Sequence, residues 1–180
     1  MIKNVVVFCG NGCAEEKKKY YYDLSYNLGK SLALAGFTTI TGGGVGLMDE
    51  VLRGAYETGG KTIGICLIKE GRKQSTHITK REDYDFLSKR QESLIKTGDA
   101  FIALPGGYGT LLETIEVIDR KKIEEIDRKK PLVLLTSYFN PLIVLFNHMF
   151  LEGFIEEWTY KFYKQIETIE EAIKYLKNIK

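Results

Sequence analysis

The stretch that decides the fold is residues 100–113, AFIALPGGYGTLLE. Residues 100–104 are apolar throughout, which is typical of a strand that is buried on both faces of a parallel sheet. Residues 105–109 then supply one proline and three glycines, which are strong turn signals. From Thr110 to about Ile126 the apolar spacing is that of a helix. The stretch therefore predicts a strand, a tight glycine turn and a helix in direct succession.

The same order of strand, break and helix recurs along the chain. Strands are predicted at 5–8, 37–41, 62–67, 100–104 and 131–135, a short extended piece at 78–84, helices at 15–35, 47–57, 85–97 and 110–126, a helix capped by Asn140 and ended by Gly153, and a terminal helix behind a capping box at 168–171. Such alternation indicates βαβ units. We expect an α/β fold: a single Rossmann-like, doubly wound domain over residues 1–180, with a mostly parallel sheet and helices on both faces.

Composition excludes several classes of function. Lys plus Arg number 26 and Asp plus Glu number 24, so the net charge is only +2. This balance predicts binding to neither nucleic acid nor a membrane surface. No apolar run approaches the roughly 18 residues of a membrane span, and no signal peptide opens the chain. Three cysteines without a paired CxxC predict reduced thiols in the cytoplasm. With two histidines, we expect no metal site.

Glycines are concentrated in the first part of the chain: of 18, only Gly153 follows Gly109. Three clusters directly follow predicted strands, at the edge where open parallel sheets bind ligands. Backbone N–H groups in such turns, beside a helix N-terminus, favour phosphate. We predict a nucleotide or phosphate site that includes Gly10, Gly43, Gly44, Gly46, Gly106, Gly107, Gly109 and Thr110. The clusters match neither the P-loop nor the full dinucleotide fingerprint, because Glu15 stands where the latter needs its third glycine.

Glu113 allows two interpretations from its spacing alone. It lies on the first turn of a predicted helix, beside the glycine cluster at 106–109, where a carboxylate could do chemistry. Thr110 and Glu113 also have the spacing of a capping box, in which the glutamate would return to a backbone N–H group. The spacing leaves both open.

The pattern PGGxGTxxE, complete at 105–113, resembles the hallmark of the LONELY GUY family of cytokinin-activating nucleotide phosphoribohydrolases and of bacterial relatives long labelled lysine decarboxylases. Residues 7–10 resemble the family's first strand and loop, residues 42–48 its second glycine loop ending in Met48, and residues 153–155 a late helix end. The resemblance spans nearly the whole chain. It implies hydrolysis of the N-glycosidic bond of a nucleoside 5′-monophosphate, AMP or a cytokinin nucleotide, to free base and ribose 5-phosphate.

The resemblance also implies roles for residues. Glu113 and Arg90 take the places of the catalytic glutamate and arginine, and Met48 joins the nucleotide-binding residues. It implies a homodimer and no cofactor. Gln91 stands where the family has a lysine, which removes a positive charge from the phosphate site. The alternative is therefore a binding protein without catalysis, such as a carrier of nucleotide or molybdenum cofactor with the same fold.

Four further features carry expectations. Asp49 stands where plant members have a glycine, and it either adds negative charge near the phosphate site or forms a surface ion pair with Arg53, four residues on. The helix after Asn140 is apolar nearly all round, which indicates burial by the core or by a partner. The basic clusters at 17–19, 120–122 and 128–130 are typical of solvated helix faces. Cys9 flanks a glycine loop, but a buried thiol is a more common role than a nucleophile.

Overall fold

The central strand of the sheet shows why this sequence folds into layers. Val5 and Val7 point into one apolar cluster, and Val6 and Phe8 point into another on the opposite face. All four side chains are almost completely buried. Because strand side chains alternate between faces, a run of consecutive apolar residues needs cover on both sides.

A computed structural model describes residues 1–179; Lys180, the last residue of the expected domain, lies outside them. The elements are β1 (Asn4–Phe8), α1 (Glu15–Leu34), β2 (Thr38–Thr41), α2 (Leu47–Glu57), β3 (Thr62–Leu67), β4 (Lys80–Tyr84), α3 (Leu87–Thr97), β5 (Ala100–Ala103), α4 (Tyr108–Lys122), β6 (Leu132–Leu135), α5 (Asn140–Leu151), β7 (Lys164–Ile166) and α6 (Ile169–Asn178). Short 3₁₀ turns cover Ser137–Phe139 and Glu157–Phe162.

Within residues 1–179 the strands form one seven-stranded sheet in the order β4-β3-β2-β1-β5-β6-β7. Every neighbouring pair of named strands is parallel. The chain moves outward from β1 to β4 and then returns to β5 on the other side of β1. β1 and β5 stay paired up to Phe8 and Ala103, and the connections that follow them run to helices on opposite faces, α1 and α4, which opens the crevice where such sheets bind ligands.

Helices cover both faces. α1, α2 and α6 contribute Leu28, Val51 and Leu176 to the cluster beneath Val5 and Val7. α3 and α4 contribute Leu94, Ile95 and Val117 to the cluster beneath Val6 and Phe8. The α/β, doubly wound fold is thus confirmed. Within the described residues, no helix has the length and apolar character that crossing a membrane requires.

The structure corrects some of the expected boundaries. Strand β7 was not predicted, because its three residues carry no local apolar run. α4 begins at Tyr108, two residues before the predicted start, and ends at Lys122. Asn140 does not cap α5: it lies inside the helix and accepts a hydrogen bond from Gln165 Nε2 at 2.6 Å. Thr168 is confirmed as the N-cap of α6, since the Glu171 N–H donates to Thr168 Oγ1 at 3.2 Å. The second half of the capping box differs, because the Glu171 carboxylate accepts from the Thr168 hydroxyl at 3.0 Å.

The basic cluster at 120–122 is also corrected in part. Lys121 is 1% exposed, and its ammonium donates to the carbonyl oxygen of Phe162 at 2.6 Å. Burial lowers the pKa of Lys121 to about 8. This lysine therefore joins α4 to the 3₁₀ turn that precedes β7, and it does not belong to a solvated face.

Two glycines bring α1 and α2 into backbone contact. A Cβ atom on Gly29 would overlap the carbonyl oxygen of Val51 and lie 2.8 Å from its carbonyl carbon. A Cβ atom on Gly54 would overlap the carbonyl group of Tyr26 in the same way. Helices this close allow no side chain between them, so α2 and the loop before it take their position from these two contacts.

We predict that Gly29→Ala destabilises the protein by about 1–3 kcal/mol, the usual cost of overpacking. The sign of this change in stability tests the backbone contact, because replacing glycine by alanine in an unobstructed helix stabilises a protein by roughly 0.4–1 kcal/mol. Urea unfolding followed by circular dichroism measures the free energy of unfolding. Asn27→Ala, at an exposed position of α1, is the control and leaves stability almost unchanged. Equal or greater stability of Gly29→Ala would contradict the backbone contact.

Candidate active site

A cavity of about 350 Å³ opens at the carboxyl ends of β1 and β5. Gly10 and Asn11 from the turn after β1 form one side of it, and Gly107 and Gly109 from the turn after β5 form another. The two turns are joined by a hydrogen bond of 3.3 Å from the Gly10 N–H to the Pro105 carbonyl. The volume lies within the range of small-ligand sites.

Arg90 of α3 and Glu113 of α4 meet at this cavity. Arg90 Nη1 lies 3.2 Å from Glu113 Oε1, and the two residues are only 5% and 9% exposed. Arg90 Nε donates a second hydrogen bond, of 2.9 Å, to the Ile65 carbonyl of β3. A Cβ atom on Gly42 would overlap the guanidinium group. Three separate elements therefore fix the arginine and, through it, the carboxylate.

Burial raises the pKa of Glu113 to about 6, and the positive charge of Arg90 opposes that rise. Near neutral pH the carboxylate is therefore mostly ionised, yet it is a stronger base than an exposed glutamate. A carboxylate with a pKa close to the working pH suits general acid–base chemistry.

The capping-box interpretation of Glu113 is wrong. Because α4 begins at Tyr108, Thr110 is its third residue, and no side chain caps the helix. Glu113 lies deeper in the helix, too far along to return to the first N–H groups. Its side chain points into the cavity instead, where it pairs with Arg90.

The N-terminus of α4 offers backbone donors to the same cavity. The first hydrogen bond that closes a turn here runs from the Leu111 N–H to the Gly107 carbonyl, at 3.0 Å. The N–H groups of Tyr108, Gly109 and Thr110 precede that bond and have no partner within the helix. A Cβ atom on Gly107 or Gly109 would meet nothing within 4 Å. An anion can therefore approach these donors closely.

The predicted site residues divide into two groups. Gly10, Met48, Arg90, Gly107, Gly109, Thr110 and Glu113 line the cavity. Within residues 1–179 the lining does not include Gly43, Gly44, Gly46 or Gly106. Gly43 and Gly46 have φ of 64° and 75°, and the Gly43 N–H already donates to Thr41 Oγ1 at 3.0 Å. A Cβ atom on Gly46 would overlap the Asn11 carbonyl, so this loop holds Asn11 in place rather than facing the cavity.

Sequence reasoning missed several lining residues: Asn11, Leu67, Arg72, Leu87 and Leu112. Arg72 lies in the polar segment after β3, where no periodicity indicates which way a side chain points. Cys9 also lines the cavity, but burial raises the pKa of its thiol, which keeps it protonated and unsuited to nucleophilic attack.

Asp49 has different partners from those expected. Its Oδ1 accepts a hydrogen bond from Ser75 Oγ at 2.5 Å and lies 2.9 Å from His77 Nδ1. Arg53 pairs with Glu50 and Glu57. The predicted Asp49–Arg53 ion pair is therefore wrong, and Asp49 instead binds the loop that follows β3.

The family model and the most similar relatives point to the same family. The family described as "Possible lysine decarboxylase" matches residues 48–176. A cytokinin riboside 5′-monophosphate phosphoribohydrolase of Arabidopsis thaliana is 32% identical over 97% of this chain and 81% of its own length. A probable enzyme of the same name from Oryza sativa subsp. japonica is 34% identical over 85% of this chain, which spans 63% of the rice protein.

Among solved structures, the molybdenum cofactor binding protein of Rippkaea orientalis superposes with a TM-score of 0.74 at 24% identity, covering 99% of this chain and 98% of that one. This likeness establishes the shared fold. The sequence matches go further, since they extend over most of the chain at more than 30% identity. The chain therefore belongs to the family described as "Possible lysine decarboxylase", which it shares with the cytokinin riboside 5′-monophosphate phosphoribohydrolases.

Proposed function

We propose that this protein is a nucleoside 5′-monophosphate phosphoribohydrolase that acts on AMP or a cytokinin nucleotide. The observation that carries the proposal is the buried Arg90–Glu113 pair, which opens into the same cavity as the free N–H groups of α4. The N–H groups suit a phosphate, and Glu113 supplies a basic carboxylate. The curated relatives bear the name of this activity.

Glu113 acts on the bond between the ribose and the base. Cleavage of an N-glycosidic bond passes through a sugar with oxocarbenium character, which a nearby anion stabilises. The C1′–N bond breaks and its electron pair leaves with the base, which takes a proton from solvent. The oxygen of a water molecule bonds to C1′, and Glu113 accepts the proton of that water. The products are the free base and ribose 5-phosphate.

The remaining groups position the substrate. The N–H groups of Gly109 and Thr110, at the positive end of the α4 dipole, bind the 5′-phosphate. Arg90 holds Oε1 of Glu113 and, from the cavity wall, donates to a ribose or phosphate oxygen. Binding energy from the phosphate thus serves to place C1′ against the carboxylate.

The family name "Possible lysine decarboxylase" does not fit the residues at this site. Amino-acid decarboxylation through pyridoxal phosphate requires a lysine amine to form the Schiff base. Among the described residues, the cavity lining contains two arginines, Arg72 and Arg90, and no lysine. The site therefore does not fit pyridoxal phosphate.

We predict that Glu113→Gln lowers the rate of base release by roughly 100- to 10,000-fold, the usual contribution of a positioned acid or base. Glutamine keeps a hydrogen-bond acceptor for Arg90, so AMP affinity changes little. Release of adenine from AMP, followed by chromatography, measures the rate, and calorimetry measures affinity. Asp119→Asn, an exposed carboxylate on α4, is the control and keeps full activity.

Undiminished turnover by Glu113→Gln would refute the assignment of the base. Tight nucleotide binding by the wild-type protein without any base release would instead support the carrier alternative. That alternative rests on Gln91, a neutral side chain that lines the cavity at the position of the family lysine.

We predict an acidic limb in the pH profile of kcat/KM. The base must be deprotonated, so activity falls about tenfold per pH unit below the pKa of Glu113, near pH 6. The profile for AMP must be corrected for the phosphate, which titrates in the same range. A phosphonate analogue of AMP, in which a methylene group replaces the bridging 5′ oxygen, keeps two ionisations but has a different second pKa, so it separates the two titrations. A limb that moves with the ionisation of the analogue would contradict the assignment to Glu113.

We further propose that the protein is a cytoplasmic homodimer. Cys9, Cys13 and Cys66 are free in the described chain, which suits a reducing compartment. Helix α5 fully buries only Phe146, while Leu142 and Ile143 pack in part against the core. Its remaining surface exposes Val144, Leu145, Phe150 and Leu151. A face of this kind on a stable protein favours an interface.

Dimerisation is tested by light scattering behind gel filtration. We expect a mass of about twice 20.5 kDa for the wild-type protein. Leu145→Lys places a charge in the apolar face of α5 and shifts the mass to that of one chain. Leu34→Lys, at an exposed apolar residue at the end of α1, is the control and leaves the mass unchanged. A monomeric wild-type protein would refute the proposal.

A further inference from the structure

Three charged side chains line the cavity: Arg72, Arg90 and Glu113. Arg90 and Glu113 neutralise each other, and a second hydrogen bond of Arg90 is spent on the Ile65 carbonyl. Gln91, which also lines the cavity, is neutral. Lys89, another cation of α3, is exposed and does not line the cavity, so α3 places no unpaired cation beside a phosphate bound at the α4 N-terminus. Among the cavity-lining residues of 1–179, Arg72 is the one charged side chain without an ion pair or side-chain hydrogen bond.

Arg72 lies on a loop, residues 68–79, that is anchored at several points. The Ser75 N–H donates to the Gly43 carbonyl at 2.9 Å, and Gln74 Nε2 donates to the Leu67 carbonyl at 3.1 Å. Asp49 lies in the first turn of α2. Its Oδ1 accepts a hydrogen bond from Ser75 Oγ and lies within hydrogen-bond distance of His77 Nδ1. These bonds fasten the second half of the loop to β2 and α2, so that the turn carrying Arg72 lies against the cavity.

The electrostatics of the site agree with this placement. The positive charge of Arg72 lowers the pKa of Glu113, in opposition to burial. It is therefore close enough to act on the charges inside the cavity, although its own side chain is exposed to solvent. Neighbouring Lys69 and Lys73 are exposed on the same loop and do not line the cavity.

We propose that Arg72 is a phosphate-binding residue, which supplies from the loop the positive charge that Gln91 does not supply from α3. This inference rests on the proposed function for the identity of the ligand as a nucleoside 5′-monophosphate. It also gives Asp49 a role: its carboxylate positions the loop that carries the arginine. Guanidinium groups suit this task, because they bind phosphate oxygens in a bidentate manner.

The first test compares Arg72→Gln with wild type in steady-state base release from AMP. A lost charge-assisted contact to the phosphate raises KM by roughly 10- to 100-fold. Because the contact is made in both the bound and the transition state, kcat changes much less. Lys73→Gln and Lys69→Gln remove the same charge from the same loop and leave KM unchanged. Equal KM values for Arg72→Gln and wild type would overturn the proposal.

A second variant separates lost charge from a distorted loop. Adding Gln91→Lys to Arg72→Gln returns a cation to the cavity from α3, and we expect it to recover most of the lost affinity. A loop that had merely changed shape would not respond to a charge on another element. Failure of Gln91→Lys to lower KM in this background would count against a role for Arg72 as the missing charge.

Binding measurements without turnover test the role of Arg72 separately from the proposed hydrolase activity. Ribose 5-phosphate and adenosine are titrated into wild type and Arg72→Gln by calorimetry, which needs no turnover. We expect Arg72→Gln to weaken ribose 5-phosphate and leave adenosine unaffected. That result without any base release would uphold Arg72 and refute the hydrolase. Base release with equal affinities for ribose 5-phosphate in both proteins would uphold the hydrolase and refute Arg72.

Discussion

The ion pair between Arg90 and Glu113 is the constraint on which the site depends. Two buried charges lose their hydration, and their attraction offsets that loss only when further hydrogen bonds satisfy the remaining donors. The Ile65 carbonyl accepts one of those donors, and Gly42 leaves room for the guanidinium. The pair thus ties α3 and α4 to the edge of the sheet. It also keeps a carboxylate of raised pKa in the cavity beyond the carboxyl ends of β1 and β5.

The glycine clusters serve two different purposes. Gly46 and Gly106 allow segments of the protein to approach one another, since a Cβ atom would overlap Asn11 in the first case and Thr110 in the second. Gly107 and Gly109 face open space at the start of α4. Of these four glycines, Gly107 and Gly109 are the ones whose backbone lines the cavity and can meet a ligand. A glycine-rich loop can shape a binding site indirectly, by positioning its neighbours.

Two departures from the family pattern become connected in the structure. Gln91 removes a charge from the wall of the cavity, and Asp49 adds one at the start of α2. Asp49 binds Ser75 and His77, and so holds the loop that brings Arg72 to the cavity. Considered singly, each substitution weakens a phosphate site. Considered together with the loop, they fit the proposal that Arg72 supplies the positive charge instead.

The sequence by itself determined the succession of strands and helices, because apolar periodicity and glycine breaks are local signals; β7 was missed since three residues such as Lys164 to Ile166 carry too little of either. The family resemblance pointed to Glu113 and Arg90 as candidate catalytic residues, without showing that their side chains are in contact. Only the tertiary structure decided that Glu113 pairs rather than caps, that Lys121 is buried, and that Arg72 lines the cavity. These facts depend on strand order and helix packing, which bring distant residues together and leave no trace in the spacing of any one segment.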